Sequence, residues 1–315
     1  MKRLTLVLAL LLAALSFGQV NTLTLRDGYS KTYPLFVTTD SNGAVSIVET
    51  SRSFELAVSM GQVPGYSTLD KFGSNPTITT STDPEDIWEG GGLYNYDADS
   101  TAPIVSIGSK NAADSQLVSV QGLDSLGNLV EQEVTLQGTT RVALDSALWR
   151  VFRIQNEGVT DFVGDVYVYT GTDTVPVVGD SVVRAVIRNG NNQTLMALYT
   201  VPRGKVGFLY RGEVGVLWNG GSGPAGAEYA KGYYKSRRYG KVFKIKKEIS
   251  LITTGSTVFQ DSRSFPDPVP SLTDIRLQVA EVSETMGAWG TFDMLLVDEE
   301  LFPVSYLQAI GQPGY

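Results

Sequence analysis

The chain reads as all-β, two β-sandwich or jelly-roll-like domains preceded by an extended N-terminal arm. Three observations point there. Val, Thr and Tyr are frequent and Gly reaches 33, a composition of strands and turns. Apolar residues alternate in short runs and not at helical spacing. Gly, Asn, Asp and Pro punctuate those runs at the intervals of a sandwich. The clearest stretch is Leu195–Trp218. There Tyr199 and Val201 enter a turn at Pro202-Arg203-Gly204-Lys205, and Val206, Phe208 and Tyr210 resume the alternation, so the stretch is expected to be a hairpin.

Taken in order, residues 1–19 form an apolar N-terminal segment. Lys2 and Arg3 precede Leu4–Leu15, with small residues after it, the pattern of a signal peptide and too short a run for a membrane span. Residues 20–100 are the arm and linker. Leu23, Leu25, Tyr33, Leu35 and Val37 alternate, Asp40–Gly43 is a turn before Val45–Val48, and Phe54–Val58 is expected to be a strand. The text Gly61–Pro76 is rich in Gly and Pro, and Tyr66, Phe72, Trp88 and Tyr94 are the candidate contact residues of the arm and linker as a whole. Asp83-Pro84 predicts a helix start of a single turn, ended by Gly90–Gly92.

The first β domain spans 101–190, with about seven short strands and a turn at Asp124–Asn128. Asn189–Asn192 marks the boundary. The second β domain spans 191–304, and Phe265–Pro270 is expected to be a loop because its prolines do not suit a central strand. Residues 305–315 make a C-terminal tail.

Composition also restricts chemistry. With no Cys and no His, Cys/His zinc sites, thiol nucleophiles, disulfides and His-based triads are excluded. A net charge of −8 argues against general nucleic-acid affinity. Carboxylates cluster at Asp83/Glu85/Asp86, Asp97/Asp99 and Asp298/Glu299/Glu300, as chance provides among 33 acidic residues. No supporting general acid or second feature accompanies them, so no catalytic, cofactor or metal residue is assigned. Trp88, Tyr94, Tyr96, Trp218 and Trp289 suit either domain cores or a sugar-stacking platform.

One charged cluster stands out in this acidic chain. Lys231, Lys235, Arg237, Arg238, Lys241, Lys244, Lys246 and Lys247 are interleaved with Tyr233, Tyr234 and Tyr239. Such a stripe fits contact with an acidic subunit, an anionic glycan or another polyanion. It fits equally a solvated strand pair whose lysines discourage edge pairing.

Several stretches in order along the chain resemble a family of virion structural proteins of tailed, especially aquatic, bacteriophages. They are Met60–Pro76 (MGQVPGYSTLDKFGSNP), Glu85–Gly92 (EDIWEGGG), Gly122–Thr135 (GLDSLGNLVEQEVT), Gln193–Lys205 (QTLMALYTVPRGK), and Gly240–Phe243 leading into Leu251–Ser256 (LITTGS). The resemblance implies a non-enzymatic particle component, located in the virion at the head surface, the head–tail joint or the tail. It also implies a homo-oligomer, a trimer being favoured, in contact with other virion proteins such as a major capsid or tail protein. The alternative is a secreted cell-surface β-sandwich protein that binds glycan, a host-surface glycan included, or a protein partner.

Overall fold

The computed structural model describes residues 23–26, 32–39, 45–48, 54–79, 83–96, 101, 103–175, 182–218, 228–254 and 256–311. The apolar run of residues 1–19, the turn at 40–43, and Asp97 and Asp99 lie outside them. The chain divides into two compact units, Met1–Gln62 and Val63–Tyr315.

In the first unit, β1 (Leu23–Arg26), β2 (Thr32–Thr39) and β3 (Val45–Val48) form an antiparallel sheet in that order. These strands fall on the alternating text. Phe54–Ser59, expected as a strand, is instead the helix α1. Glu55, Leu56 and Ala57 favour a helix, and Gly61 ends it in a left-handed conformation (φ 67°), its N–H bonding the Val58 carbonyl at 2.8 Å.

The second unit is built from four antiparallel sheets among the described residues. Its strands begin with β4 (Tyr66–Ile78) and β5 (Glu85–Asp86), followed by β6 (Ile104–Ser109), β7 (Leu117–Leu123), β8 (Leu129–Thr135) and β9 (Val142–Leu148). Next come β10 (Arg150–Asn156), β11 (Val166–Thr170), β12 (Val183–Ile187) and β13 (Leu198–Thr200). The series ends with β14 (Lys205–Trp218), β15 (Glu228–Arg238), β16 (Lys244–Thr253), β17 (Ser256–Val269), β18 (Thr273–Ala280) and β19 (Met286–Asp298).

Strands β6–β12 make a seven-strand sandwich, with sheet order β10-β7-β8 against β12-β11-β6-β9. Ile104, Ile107, Val118, Val120, Ile154 and Val168 interdigitate at 0% exposure in a shared core.

The remaining strands have the order β17-β14-β19-β4 in one sheet and β13-β18-β15-β16 in the other. Numbered one to eight as β4, β13, β14, β15, β16, β17, β18 and β19, they run 6-3-8-1 and 2-7-4-5. That is the strand order of an eight-strand jelly roll, a double-sheet Greek-key solution for an all-β chain. Its core is continuous between the sheets through Val214, Val216, Leu277, Phe292 and Met294.

The seven-strand sandwich is nested inside this jelly roll. Strand position two is shared by two segments, since β13 and β5 both pair with β18 (Thr200↔Asp274 and Asp86↔Gln278). The chain leaves at Trp88 and returns at Met196, and these two residues form an antiparallel bridge. The expected helical turn after Asp83 is therefore β5, because Glu85 and Asp86 find partners on β18.

Three further expectations change. From Tyr66 on, Gly61–Pro76 is no loose arm but β4, paired with β19 from Tyr66↔Val297 to Ile78↔Met286. The turn at Pro202–Lys205 forms, with Gly204 at φ 75°, yet β13 and β14 do not pair; the turn carries the chain from one sheet to the other. Pro266 and Pro268 lie within β17, at the end of its sheet, where a missing N–H is tolerated on the unpaired side. The C-terminal tail begins as helix α2 (Val304–Ile310).

Candidate interaction surface

β15 and β16 form a hairpin at one end of a jelly-roll sheet, with Tyr233↔Glu248 and Tyr234↔Lys247 in register. Alternation sends Ala230, Gly232, Tyr234 and Ser236 inward and Lys231, Tyr233, Lys235 and Arg237 to the opposite face. This splits the basic stripe into parts with different surroundings.

On the outer face, Lys231 is matched by Glu281 at 2.8 Å and Glu248 at 3.6 Å. Its ammonium is held above the ordinary lysine range, chiefly by the Glu281 hydrogen bond. Lys235 lies 4.7 Å from the Tyr233 ring centroid, and burial, then the nearby Arg276 charge, push it down. Tyr233 donates to Glu281 at 3.4 Å. Lys247, half-buried, lies over the Phe259 ring at 5.2 Å.

Arg237 reaches a buried cluster under the hairpin. Its Nη2 donates to Asp274 Oδ2 at 2.6 Å, and Asp274 also accepts from Arg150 and from Thr200 Oγ1 at 2.6 Å. The Phe243 ring is flanked by the guanidinium groups of Arg276 (3.8 Å) and Arg237 (4.6 Å), and it packs on Tyr96 at 5.4 Å. The Tyr96 hydroxyl donates to the Ile275 carbonyl at 2.8 Å, and burial raises it well above its usual range. Asp86, fully buried, accepts from the Tyr94 N–H at 2.7 Å and from Arg276 at 3.4 Å. Burial outweighs the Arg276 charge and pushes its carboxyl up to about 6.

This cluster fixes the hairpin loop at both ends. Phe243 is held as described, and Tyr239 packs edge-on against Trp149 at 5.5 Å. Arg238 donates to the Ile310 carbonyl at the end of α2 at 2.5 Å. Lys241, Lys244 and Lys246 are left exposed on a firmly seated loop and strand. With Arg238 they line an open groove of about 910 Å³, solvent-filled space included, whose far side is Asp267, Pro268 and Pro270.

The four aromatic candidates nearer the N-terminus sit inside the second unit. Trp88 (6% exposed) and Tyr94 (5%) stack edge-on at 5.1 Å in the sandwich core beside Met196 and Leu198. Tyr66 and Phe72 are half-buried on β4, with Arg153 5.9 Å from the Phe72 ring. The structure thus brings Trp88, Tyr94 and Arg237 to one buried cluster, and Lys241, Lys244 and Lys246 to one groove; it does not bring the two sets together. Asp274, Arg150 and Arg276 were not singled out from the sequence, although charged residues inside apolar strands such as TDIRLQVA are the available signal.

Of the carboxylate clusters, the two that fall on described residues each include a carboxylate with a structural partner. Glu85 accepts from Asn75 at 3.1 Å and from the Gly92 N–H at 3.0 Å, and Asp298 pairs with Lys205.

No protein-family model matches the chain, and no curated protein matches it. Among solved structures, "Structure of infectious bursal disease virus Gx strain" aligns at TM-score 0.23 and 9% identity, over 76% of this chain and 74% of that one. A structure of Sulfolobus Turreted Icosahedral Virus aligns at TM-score 0.20 and 10% identity, over 78% of this chain and 95% of that one. The infectious bursal disease virus VP2 subviral particle aligns at TM-score 0.14 and 9% identity, over 76% and 74%.

Proposed function

We propose that this chain is a structural subunit of a bacteriophage particle, working by burying surface against copies of itself and against a neighbouring virion protein such as a capsid or tail subunit. The observation that carries the reading is the jelly-roll strand order, an architecture used in viral shells and in lectins. A fold hosts many functions, so the order alone does not choose among them. The choice comes from the ordered stretches, Met60–Pro76 through Leu251–Ser256, that resemble phage virion proteins.

Such a subunit has to present contact surface, and β16 and β17 stand at the same side of the two jelly-roll sheets as long end strands. Exposed Ile245, Ile252, Val258 and Phe259 lie along them. Stable assembly interfaces bury about 2,000 Å² or more, and such strands offer a start on that area. The contact role assigned to Tyr66 and Phe72 belongs to the same proposal.

Light scattering on the purified full chain tests it, with electron microscopy of the same sample. A trimer or another closed oligomer is expected. A monodisperse monomer across the accessible concentration range overturns the reading, as does turnover of a small-molecule substrate.

A further inference from the structure

We propose that the lysine edge of β16 and the glutamate edge of β8 are the two halves of a head-to-tail contact between copies of this chain. The inference rests on the self-assembly reading above and names its surfaces.

The first half is the groove beside β16. Lys244 and Lys246, two residues apart, both face it, joined by Lys241 from the loop. The neighbouring cations of the hairpin are matched by carboxylates within the chain, Lys231 by Glu248 and Glu281 and Arg237 by Asp274. Among the described residues, Lys241, Lys244 and Lys246 have no ion pair. Positive charge is therefore in excess here, Arg238, Lys241, Lys244 and Lys246 against the one lining carboxylate of Asp267, in a chain of net charge −8. The loop is fixed by Phe243 and Tyr239, so contact there has side chains to order but little backbone.

The second half lies on the nested sandwich. β8 ends the sheet β10-β7-β8, and alternation along it exposes Leu129, Glu131, Glu133 and Thr135 on one face. Glu131 and Glu133 are two positions apart, about 7 Å along a strand, as Lys244 and Lys246 are. Neither glutamate forms an ion pair among the described residues, and the exposed Asp145 on β9 adds to the negative surface.

Matched spacing and opposite sign suit one strand end to the other. The two patches differ, so the contact is heterologous and closes into a ring or continues as a filament. Complementary charge of this kind sets partner choice and register and weakens with salt.

Two charge-reversed variants of the full chain test this, each first shown by circular dichroism to melt like the wild type. Lys244→Glu/Lys246→Glu carries acid on both edges, and Glu131→Lys/Glu133→Lys carries base on both. Sedimentation velocity at low salt should show each variant associating at least about tenfold more weakly than the wild type, whose association falls on raising salt. Mixed one to one, the two should associate again, because each edge then meets its opposite.

Undiminished association of either variant alone overturns the proposal while leaving self-assembly intact, and so does a mixture that stays apart. Loss of inorganic polyphosphate binding in Lys244→Glu/Lys246→Glu, with association unchanged, assigns the groove to a polyanion instead. A wild type that never associates overturns the self-assembly reading itself.

Discussion

Arg150 grips Asp274 with two parallel hydrogen bonds, Nε to Oδ1 at 3.1 Å and Nη2 to Oδ2 at 3.2 Å, and both side chains are nearly sealed from water. Arg150 begins β10 of the nested sandwich and Asp274 lies in β18 of the jelly roll, so the pair fastens one to the other. Arg150 also stacks on Trp149 at 4.0 Å, and Asp274 holds Arg237 as well. Removing one partner leaves buried charge uncompensated. Asp274→Ala is therefore expected to cost about 3–5 kcal/mol in urea unfolding. Arg150→Lys should also destabilise, since an ammonium can match neither the paired bonds nor the ring contact. A loss under about 1 kcal/mol for Asp274→Ala would refute this account of the junction.

Asp86 gives a pH signature. Burial holds its carboxyl near 6 in the folded chain against 3.8 for the free group, despite the Arg276 charge and the Tyr94 N–H. A raised folded value favours the folded state most below the free value, and the advantage is lost as pH rises through about 6. Asp86→Asn removes that dependence. The stability of the variant minus that of the wild type should grow by about 2–3 kcal/mol between pH 4 and pH 7. Denaturation series at several pH values measure the difference; a flat difference contradicts the assignment.

Lys71 shows the opposite case. Its Nζ donates to the Phe152 carbonyl at 2.5 Å, and burial, then the Arg153 charge, push it well below its ordinary range. A depressed folded value stabilises above the free value of 10.5 and is lost as pH falls through the folded value. Lys71→Met, which keeps the buried stem, should gain on the wild type at pH 7 and lose that gain towards pH 10. Parallel stability curves over that range would exclude the effect.

Gly73 marks a close approach. A Cβ there would meet the Ala197 nitrogen at 2.3 Å and the Ile87 carbonyl oxygen at 2.5 Å, both backbone atoms that cannot swing aside. Gly73→Ala should destabilise by about 1–3 kcal/mol or more through forced backbone shifts. Thermal melts of Gly73→Ala beside Gly204→Ala, whose site has open space, separate crowding from the loss of a positive φ.

Local signals were readable in the sequence to the extent that they were local. The alternation of Val206, Phe208 and Tyr210 marks β14, and Asp124–Asn128 closes the β7–β8 hairpin, the Asp124 N–H bonding the Asn128 carbonyl at 3.0 Å. Pairing partners were not readable. β14 lies between β17 and β19, and nothing within Leu195–Trp218 says that its turn changes sheets. Glu85 and Asp86 carry a helix-start pattern that lost to an available sheet edge, and Pro266 and Pro268 are loop signals overridden by an edge position. The cluster around Asp274 gathers Arg150, Thr200 and Arg237 from three strands, a meeting no sequence window contains. Trp88 and Tyr94 were visible as aromatic contacts; their neighbours Met196 and Leu198, a hundred positions on, were not.

The nesting has a consequence for biogenesis. β4 leaves the ribosome long before its mate β19, with Tyr66 waiting for Val297. Meanwhile β6–β12 have most of their core available, with Met196 and Leu198 following just behind, and can condense first, vectorially, as a block between the two halves of an unfinished one. Closing such a distant pairing is slow, and an orphan strand is open to mispairing with other nascent chains until it closes. Completion of the jelly roll thus waits on β19, and truncation ahead of that strand would leave β4 without its mate.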